Sequence, residues 1–338
     1  MAAPALVASL GAGRMGRGIA HAFAYAGHPV LLVDIKQRSA EDARRLEAEA
    51  LAEIDSNLRA LAGLGAFEDS ACAEILARVR FVPRDGAAAA LRDAKIVFEG
   101  VPEVLEAKRE AFAFACPLLA PGTILASTTS TFLSGALAAY VSDPARFLNA
   151  HWLNPAYLVP LVELSPHAGT DAAALESMKA MLESMGKVPV VCSAAPGFIV
   201  PRLQSLLMNE AARMIEQGVA TAEDIDKATR HGLGFRYASM GVVEFIDFGG
   251  NDILYYASRY LAQALNDPRY GSPGIVDRYM QEGRNGIRSG QGFYDWRDVD
   301  TDAYRKDALG RLLAMLRHQD MLRPPGAALN ETPKKENT

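Results

Sequence analysis

The sequence predicts an α/β fold, in which a Rossmann-like, mainly parallel sheet domain is followed by an all-helical domain. Three observations predict it. A glycine motif sits between an apolar run and a helical pattern near the amino terminus. Short apolar runs then alternate with helical stretches up to about residue 192. Beyond Pro196-Gly197 the strand signal fades and long helical stretches take over.

The first element is the apolar run Ala5-Leu6-Val7-Ala8-Ser9-Leu10, which leads directly into Gly11-Ala12-Gly13-Arg14-Met15-Gly16. A helical pattern follows (Ile19, Ala20, Ala22, Phe23), and a second apolar run, Val30-Leu31-Leu32-Val33, ends on Asp34. Strand, glycine turn, helix, strand and acid, in that order, form a dinucleotide-binding fingerprint. Gly11 allows the tight turn, Gly13 lets a pyrophosphate approach the backbone, and Gly16 lets the helix pack on the strand. The helix N-terminus offers free N–H groups and a partial positive charge to the phosphates. Asp34 is placed to accept hydrogen bonds from the adenosine ribose and to repel a 2′-phosphate, which favours NAD over NADP. Lys36 and Arg38 lie close enough to weaken that repulsion.

Helical spacing continues over 38–62 and 70–78, and strands are expected at 80–82, 95–101 and 123–127, with a helix at 105–119 between the last two. Strands at 147–153 and 161–164, a helix at 171–185 and a strand at 188–192 complete a doubly wound pattern. Helices are then expected at 203–217 and 222–231. The domain boundary is placed at 195/196, the helical domain runs to 322, and the polar, Pro-rich tail 323–338 is expected to be disordered.

Composition narrows the functional classes. A net charge of −5 argues against nucleic acid and anionic membrane as partners. No apolar run reaches the roughly 20 residues of a membrane span. The apolar start lacks a basic n-region and reads as a first strand, not a signal peptide. Cys72, Cys116 and Cys192 are scattered, and neither they nor the six histidines show metal-ligand spacing. Three unpaired thiols suit a cytoplasmic location.

A dinucleotide domain needs a proton acceptor at the carbon that gives up hydride. His151 ends an apolar strand in Asn149-Ala150-His151-Trp152-Leu153-Asn154-Pro155, at the sheet edge where ligands bind. Glu163, in Pro160-Leu161-Val162-Glu163-Leu164, is an acid within an otherwise apolar strand and so needs a partner. A histidine–glutamate pair satisfies that need and supplies a base for near-neutral pH. By spacing alone, a histidine at a strand end is more often structural than catalytic.

The chain resembles the 3-hydroxyacyl-CoA dehydrogenase family from about residue 5 to Trp296. The resemblance is carried by Gly11-x-Gly13-x-Met15-Gly16, Glu99-Gly-Val-Pro-Glu103, Ser127-Thr-Thr-Ser130 and His151-Trp-Leu-Asn154-Pro155. Glu163, Pro196-Gly197-Phe198-Ile199 and the closing Ser289-Gly-Gln-Gly-Phe-Tyr-Asp-Trp296 complete it. It implies a Rossmann-like domain followed by a helical domain that forms a homodimer interface. It also implies that His151 is the general base, that Glu163 orients it, and that Ser130 holds the substrate oxygen near the nicotinamide. Gly11, Gly13, Met15, Gly16, Asp34, Glu103, Lys108, Ser130 and Asn154 fall where the family contacts NAD. Without the resemblance, Glu103 and Lys108 read as a solvated helix-start charge and a surface lysine, and Asn154-Pro155 reads as a turn.

Two departures matter. Where the family commonly has Asn shortly after Gly-Phe, Val200-Pro201-Arg202 places a proline, which removes an amide expected at the substrate's carbonyl. Ser205, one helical turn on, is displaced by roughly 6 Å along the axis and is a weak substitute. The family's acyl-CoA enzymes also usually carry a lysine-rich stretch after the second strand, whereas 55–67 here holds Arg59 as its one basic residue. The 157–167 segment and Gly232-Leu-Gly-Phe-Arg236-Tyr-Ala238 look more like the gulonate and carnitine dehydrogenase branch, whose substrates are free 3-hydroxy acids. There Arg236 would clamp a carboxylate through paired hydrogen bonds. Equally, it is readable as a surface or interface arginine paired with an acid such as Glu244.

The expected function is therefore NAD-dependent oxidation of a 3-hydroxyl to a 3-keto group, leaning to a free 3-hydroxycarboxylate. A 3-hydroxyacyl-CoA thioester, as in fatty acid metabolism, is the alternative. A non-catalytic NAD-binding member is a more distant one, kept open by Pro201.

Overall fold

The structure, a computed structural model, describes residues 4–325. Its strands are β1 (Val7–Leu10), β2 (Val30–Val33), β3 (Val79–Val82), β4 (Ile96–Glu99), β5 (Ile124–Ser127), β6 (Phe147–Trp152), β7 (Leu161–Pro166) and β8 (Val188–Val191). They form one eight-stranded sheet in the order β3-β2-β1-β4-β5-β6-β7-β8. Neighbours run parallel except β6 and β7, which are antiparallel. The chain thus forms the doubly wound, mainly parallel sheet that the alternation of elements implied.

β1, β2, β4 and β5 are buried along their whole length, because helices cover both faces of the sheet and neither is left for solvent. These helices are α1 (Arg14–Tyr25), α2 (Ala40–Gly63), α3 (Cys72–Leu76), α4 (Ala87–Leu91), α5 (Leu105–Ala115), α6 (Ser134–Ala138) and α7 (Ala172–Ser184). Ile19, Phe23, Ile54 and Leu182 pack with Leu32 and Phe98 in one core, and Leu91, Phe112, Leu137 and Phe147 with Leu10 and Val97 in another. Each such side chain contributes about 1.5–3 kcal/mol by leaving water. Strand order reverses around β1, with β2 on one side and β4 on the other. A crevice therefore opens beyond the ends of β1 and β4, where Gly11 and Gly100 follow.

Several elements end earlier than periodicity suggests, each for a local reason. The helix expected over 105–119 stays α-helical only to Ala115 and closes as a 3₁₀ turn, Cys116–Leu118. Pro117 there lacks the N–H that the next α-helical bond requires. The helix expected over 222–231 leaves α geometry after Ala228 and continues as a π-helical stretch, Thr229–Gly234, which contains two glycines.

The first compact unit runs to Asn209 and the second begins at Glu210, inside α8 (Val200–Glu216). The boundary expected at 195/196 falls just before that helix, where Gly197 and Phe198 both take positive φ. From 326 on, the tail expected to be disordered lies outside the described residues.

The second unit is helical: α9 (Ala222–Ala228), α10 (Phe235–Tyr237), α11 (Val242–Gly249), α12 (Asn251–Ala264), α13 (Gly274–Gln281) and α14 (Thr301–His318). Its closing sequence motif wraps a buried acid. Asp247 accepts hydrogen bonds from the backbone N–H groups of Phe293 and Tyr294 and from Trp296 Nε1, at 2.8–2.9 Å. A Cβ on Gly292 would lie 2.1 Å from Asp247 Oδ1, so only glycine fits there.

His21 on α1 sets an acid limit for the fold. It is buried and stacks on Tyr157 with ring centroids 4.2 Å apart, and neither ring nitrogen has a hydrogen-bond partner among the described residues. Burial, and then the Lys187 charge, lower its pKa from 6.5 to about 4. Between those values the unfolded chain takes up a proton that the native state refuses. The contribution is complete above pH 6.5 and is lost as pH falls towards 4, a change of about 3 kcal/mol. Urea unfolding near neutral pH and near pH 4 is expected to show a smaller acid loss in His21→Phe than in the native chain. Equal losses would assign the acid lability to other groups.

Candidate active site

The glycine turn after β1 opens a cleft of about 1280 Å³ lined by Gly11, Gly13, Asp34, Arg38, Gly100 and Val101, among others. Gly11 has φ +97°, a conformation that L side chains rarely adopt. A Cβ on Gly16 would stand 1.9 Å from the Gly11 carbonyl oxygen, so helix and turn touch only because Gly16 has no side chain. Gly13 has open space where its Cβ would be, and as N-cap of α1 it carries no side-chain cap. The first N–H groups of α1 therefore face the cleft free, and this is the cradle a dinucleotide diphosphate fits. Asp34 is buried just past β2, and accepts from the Lys36 N–H and from Arg38 Nε. Arg38 thus lies against the acid, and Lys36 reaches it through its backbone.

A second cavity, of about 520 Å³, is lined by Ser130, His151, Asn154, Pro201, Arg14 and Met15, together with further residues of α8. The β6–β7 pairing, antiparallel in an otherwise parallel sheet, sets His151 directly opposite Glu163. His151 Nδ1 lies 2.8 Å from Glu163 Oε2. The other carboxylate oxygen accepts from the backbone N–H groups of Ile199 and Val200, at 2.9 and 2.8 Å. An ionised carboxylate only accepts, so Nδ1 carries the proton and Nε2 is left as the acceptor. Such an imidazole can take a proton at Nε2 while Glu163 stabilises the resulting cation. Phe198 stacks on the His151 ring, centroids 5.5 Å apart.

Behind Ser130 lies a buried charge network. Lys108 and Glu99 are both fully buried. Lys108 Nζ stands 3.1 Å from both Glu99 oxygens and 3.1 Å from Glu103, and Ser127 Oγ also donates to Glu99. Glu103 accepts from the hydroxyls of Thr129 and Thr131 and from the backbone N–H groups of Ser130 and Thr131. Burial opposes its ionisation, but those hydrogen bonds and the Lys108 charge outweigh burial and hold its pKa below the usual carboxylate value. The structure corrects the surface-lysine reading of Lys108, which is buried, whereas Glu103 stays exposed, as the solvated reading had it, and is nonetheless committed to partners. Neither is among the residues lining the two cavities, and both grip the loop that carries Ser130.

Arg236 belongs to the second unit. Its Nε donates to the Gly232 carbonyl, and its guanidinium lies 5.0 Å from the centroid of the Phe245 ring. With Lys227 and His231 it lines a separate cleft. The alternative pairing with Glu244 is not made, since that carboxylate accepts from Gly241 N–H and from Tyr304.

Two family models match the chain: "3-hydroxyacyl-CoA dehydrogenase, NAD binding domain" over residues 6–195 and "3-hydroxyacyl-CoA dehydrogenase, C-terminal domain" over 197–296. The chain belongs to the 3-hydroxyacyl-CoA dehydrogenase family. Among similar proteins, the 3-hydroxyadipyl-CoA dehydrogenase of Escherichia coli (strain K12) is 37% identical over 292 residues, which is 86% of this chain and 59% of that protein. The 5-formyl-3-hydroxy-2-methylpyridine 4-carboxylate 5-dehydrogenase of Mesorhizobium japonicum is 29% identical over 92% of this chain and 97% of its own length. A solved 3-hydroxyacyl-CoA dehydrogenase from Archaeoglobus fulgidus matches with a TM-score of 0.73 at 31% identity, covering 94% of this chain and all of that one.

As a member of this family the chain is an NAD-dependent dehydrogenase acting on a CH–OH group. The hydrogen bonds at the start of α8 account for Pro201. It is the second residue of α8. The N–H groups of Ile199 and Val200 bind Glu163, and that of Arg202 bonds the Gly197 carbonyl. Proline therefore sits at a position where no N–H is required. Residues that sequence reasoning did not single out also line the His151 cavity, namely Arg14, Gln204, Met208 and Asn209. The three on α8 recur at helical spacing from Pro201, the one signal that marked them in advance.

Two substitutions test this machinery. In Glu163→Gln the two α8 N–H donors hold the amide oxygen, so the amide N–H meets His151 Nδ1 and favours the wrong tautomer. Turnover is expected to fall by about 10²–10⁴-fold with NADH affinity nearly unchanged. Steady-state kinetics with fluorescence titration of NADH checks this, and near-native turnover would contradict it. Lys108→Met strands a buried Glu99 and is expected to cost about 3–5 kcal/mol in urea unfolding, part of which Glu99→Gln restores in the double variant.

Proposed function

We propose that this dehydrogenase oxidises the 3-hydroxyl of a small substrate carrying its own carboxylate, as in the gulonate and carnitine branch, with His151 as general base. NAD, when bound, supplies the hydride acceptor. Ser130 holds the hydroxyl oxygen, His151 Nε2 takes its proton as C3 is oxidised, and Glu163 stabilises the imidazolium. Gly11, Gly13, Gly16 and Asp34 hold the dinucleotide, Met15 and Asn154 border its reacting end, and Glu103 and Lys108 position the Ser130 loop.

The observation that carries the substrate class is the state of Arg59. The one basic residue of 55–67 is already tied to Asp55 at 2.8 Å and to Asp69 at 3.5 Å, so this stretch presents no free cation to a nucleotide phosphate. Pro201 adds to it by withdrawing an amide from the substrate cavity. Two relatives are named for substrates that include a carboxylate, the adipyl thioester and the pyridine carboxylate. The names of the CoA-ester relatives favour the second reading, a 3-hydroxyacyl-CoA thioester.

The proposal extends to organisation. Residues 1–195 form the cofactor domain and 196–322 a helical domain through which two copies pair in the cytoplasm. α12 presents Ile253, Tyr256 and Tyr260 at 61%, 65% and 69% exposure, an apolar stripe at helical spacing suited to a second copy. Arg236 contributes a paired contact to the substrate carboxylate.

The test is an NADH absorbance assay on free 3-hydroxy acids and their CoA esters, with NAD and NADP. Preference for free acids is expected, and Arg236→Lys should raise KM appreciably, because lysine keeps the charge but loses the planar fork. Efficient turnover of 3-hydroxybutyryl-CoA, none of free acids, and no effect of Arg236→Lys would restore the thioester reading.

A further inference from the structure

We infer that Arg14 is a specificity-determining residue that binds the substrate's carboxylate inside the His151 cavity. The inference rests on the carboxylate-bearing substrate proposed above and names the group that recognises it. In a 3-hydroxy acid the carboxylate carbon is two bonds from C3. Any contact to it from the unit that holds His151 must therefore come from the cavity of the base that deprotonates the C3 hydroxyl.

Arg14 is the one permanently charged side chain among the described residues lining that cavity, and no carboxylate lines it with Arg14. The α8 residues that line it, Pro201, Gln204, Ser205, Met208 and Asn209, are all uncharged. The positive end of α8 is already taken by Glu163. Arg14 is also free to act. It is exposed and makes no ion pair or side-chain hydrogen bond among the described residues. The neighbouring arginines are committed: Arg17 to the Ala12 carbonyl and Glu53, Arg38 to Asp34, and Arg84 to the Ile35 carbonyl.

Arg14 also lines the dinucleotide cleft, so a cofactor phosphate is the competing oxyanion. The free N–H groups of α1 already face that group, whereas the His151 cavity offers a carboxylate no other cation.

The experiment compares 3-hydroxybutyrate with the uncharged, nearly isosteric 3-hydroxybutyramide in the native enzyme, Arg14→Gln and Arg14→Lys, with the Kd of NADH measured in each. The native enzyme is expected to prefer the acid by about 10-fold or more in kcat/KM. Arg14→Gln should bring that ratio near unity, with the NADH Kd within about twofold of native, and Arg14→Lys should fall between. A raised NADH Kd with an unchanged acid-to-amide ratio would assign Arg14 to the cofactor and overturn the inference.

If the native enzyme turns over CoA esters alone, the free-acid reading has failed and the inference is judged separately. The ratio is then taken between 3-hydroxyadipyl-CoA, which ends in a carboxylate, and 3-hydroxybutyryl-CoA, which ends in a methyl group. Loss of the adipyl preference in Arg14→Gln upholds the role of Arg14, and a ratio unchanged from native ends it. Absence of turnover on all four compounds removes both.

Discussion

Glu163 is a carboxylate buried between two strands and the start of a helix, and the geometry of the active site follows from the need to satisfy it. An unpaired charge in that position would cost several kcal/mol, so each oxygen has a committed partner. One receives His151 Nδ1 and the other receives the Ile199 and Val200 N–H groups. A single side chain thus ties β6, β7 and the start of α8 together. It also fixes which imidazole nitrogen faces the cavity. Structure and chemistry depend here on the same three hydrogen bonds.

A second buried carboxylate does the same for the other wall. Glu99 ends β4 and is met by Lys108 from α5, Ser127 from β5 and the Val101 N–H. Lys108 extends the network to Glu103, which collects four donors from the loop following β5. In a low-dielectric interior such bonds are stronger than in water and costly to leave unmade. The Ser130 loop is anchored at one end by Phe132 against the core and at Thr129–Thr131 by these charges. Precision at the site is therefore electrostatic in origin, while the apolar cores on the two sheet faces supply the stability that makes it possible.

The parts of this arrangement that were legible in the sequence are those governed by local rules. The glycine turn could be read because Gly11 and Gly16 answer steric demands visible within a few residues, and the strands because burial on both faces makes them continuous apolar runs. His151 and Glu163 stood out as polar residues at the end of, or within, apolar strands, and the family motifs then gave them roles. What was not legible is non-local or carried by the backbone. Ile199 and Val200 act through N–H groups, which leave no mark in a sequence. Their aim depends on positive φ at Gly197 and at Phe198, a residue that rarely adopts it. The grip of Glu103 on Thr129 and Thr131 joins residues 26 and 28 apart, and Lys108 carries no sequence sign that it is buried.

Pro201 shows how the two levels interact. A proline within a helix normally removes a hydrogen bond and costs about 3 kcal/mol or more. Here the donors around it are already placed, Ile199 and Val200 on Glu163 and Arg202 on Gly197, so no acceptor waits for a Pro201 N–H. The fold therefore bears no penalty for the substitution, and its effect falls on the cavity alone. Removing an amide leaves the α8 wall uncharged and partly apolar, with Gln204, Ser205 and Asn209 as its polar groups. A substrate that needs a neutral amide beside its carbonyl loses a partner. One that carries a negative charge needs a cation instead, and Arg14 is the permanently charged side chain among the described residues lining the cavity. The same helix start that anchors the base thus leaves this wall free to vary, and substrate choice in this chain can change there without disturbing the His151–Glu163 pair.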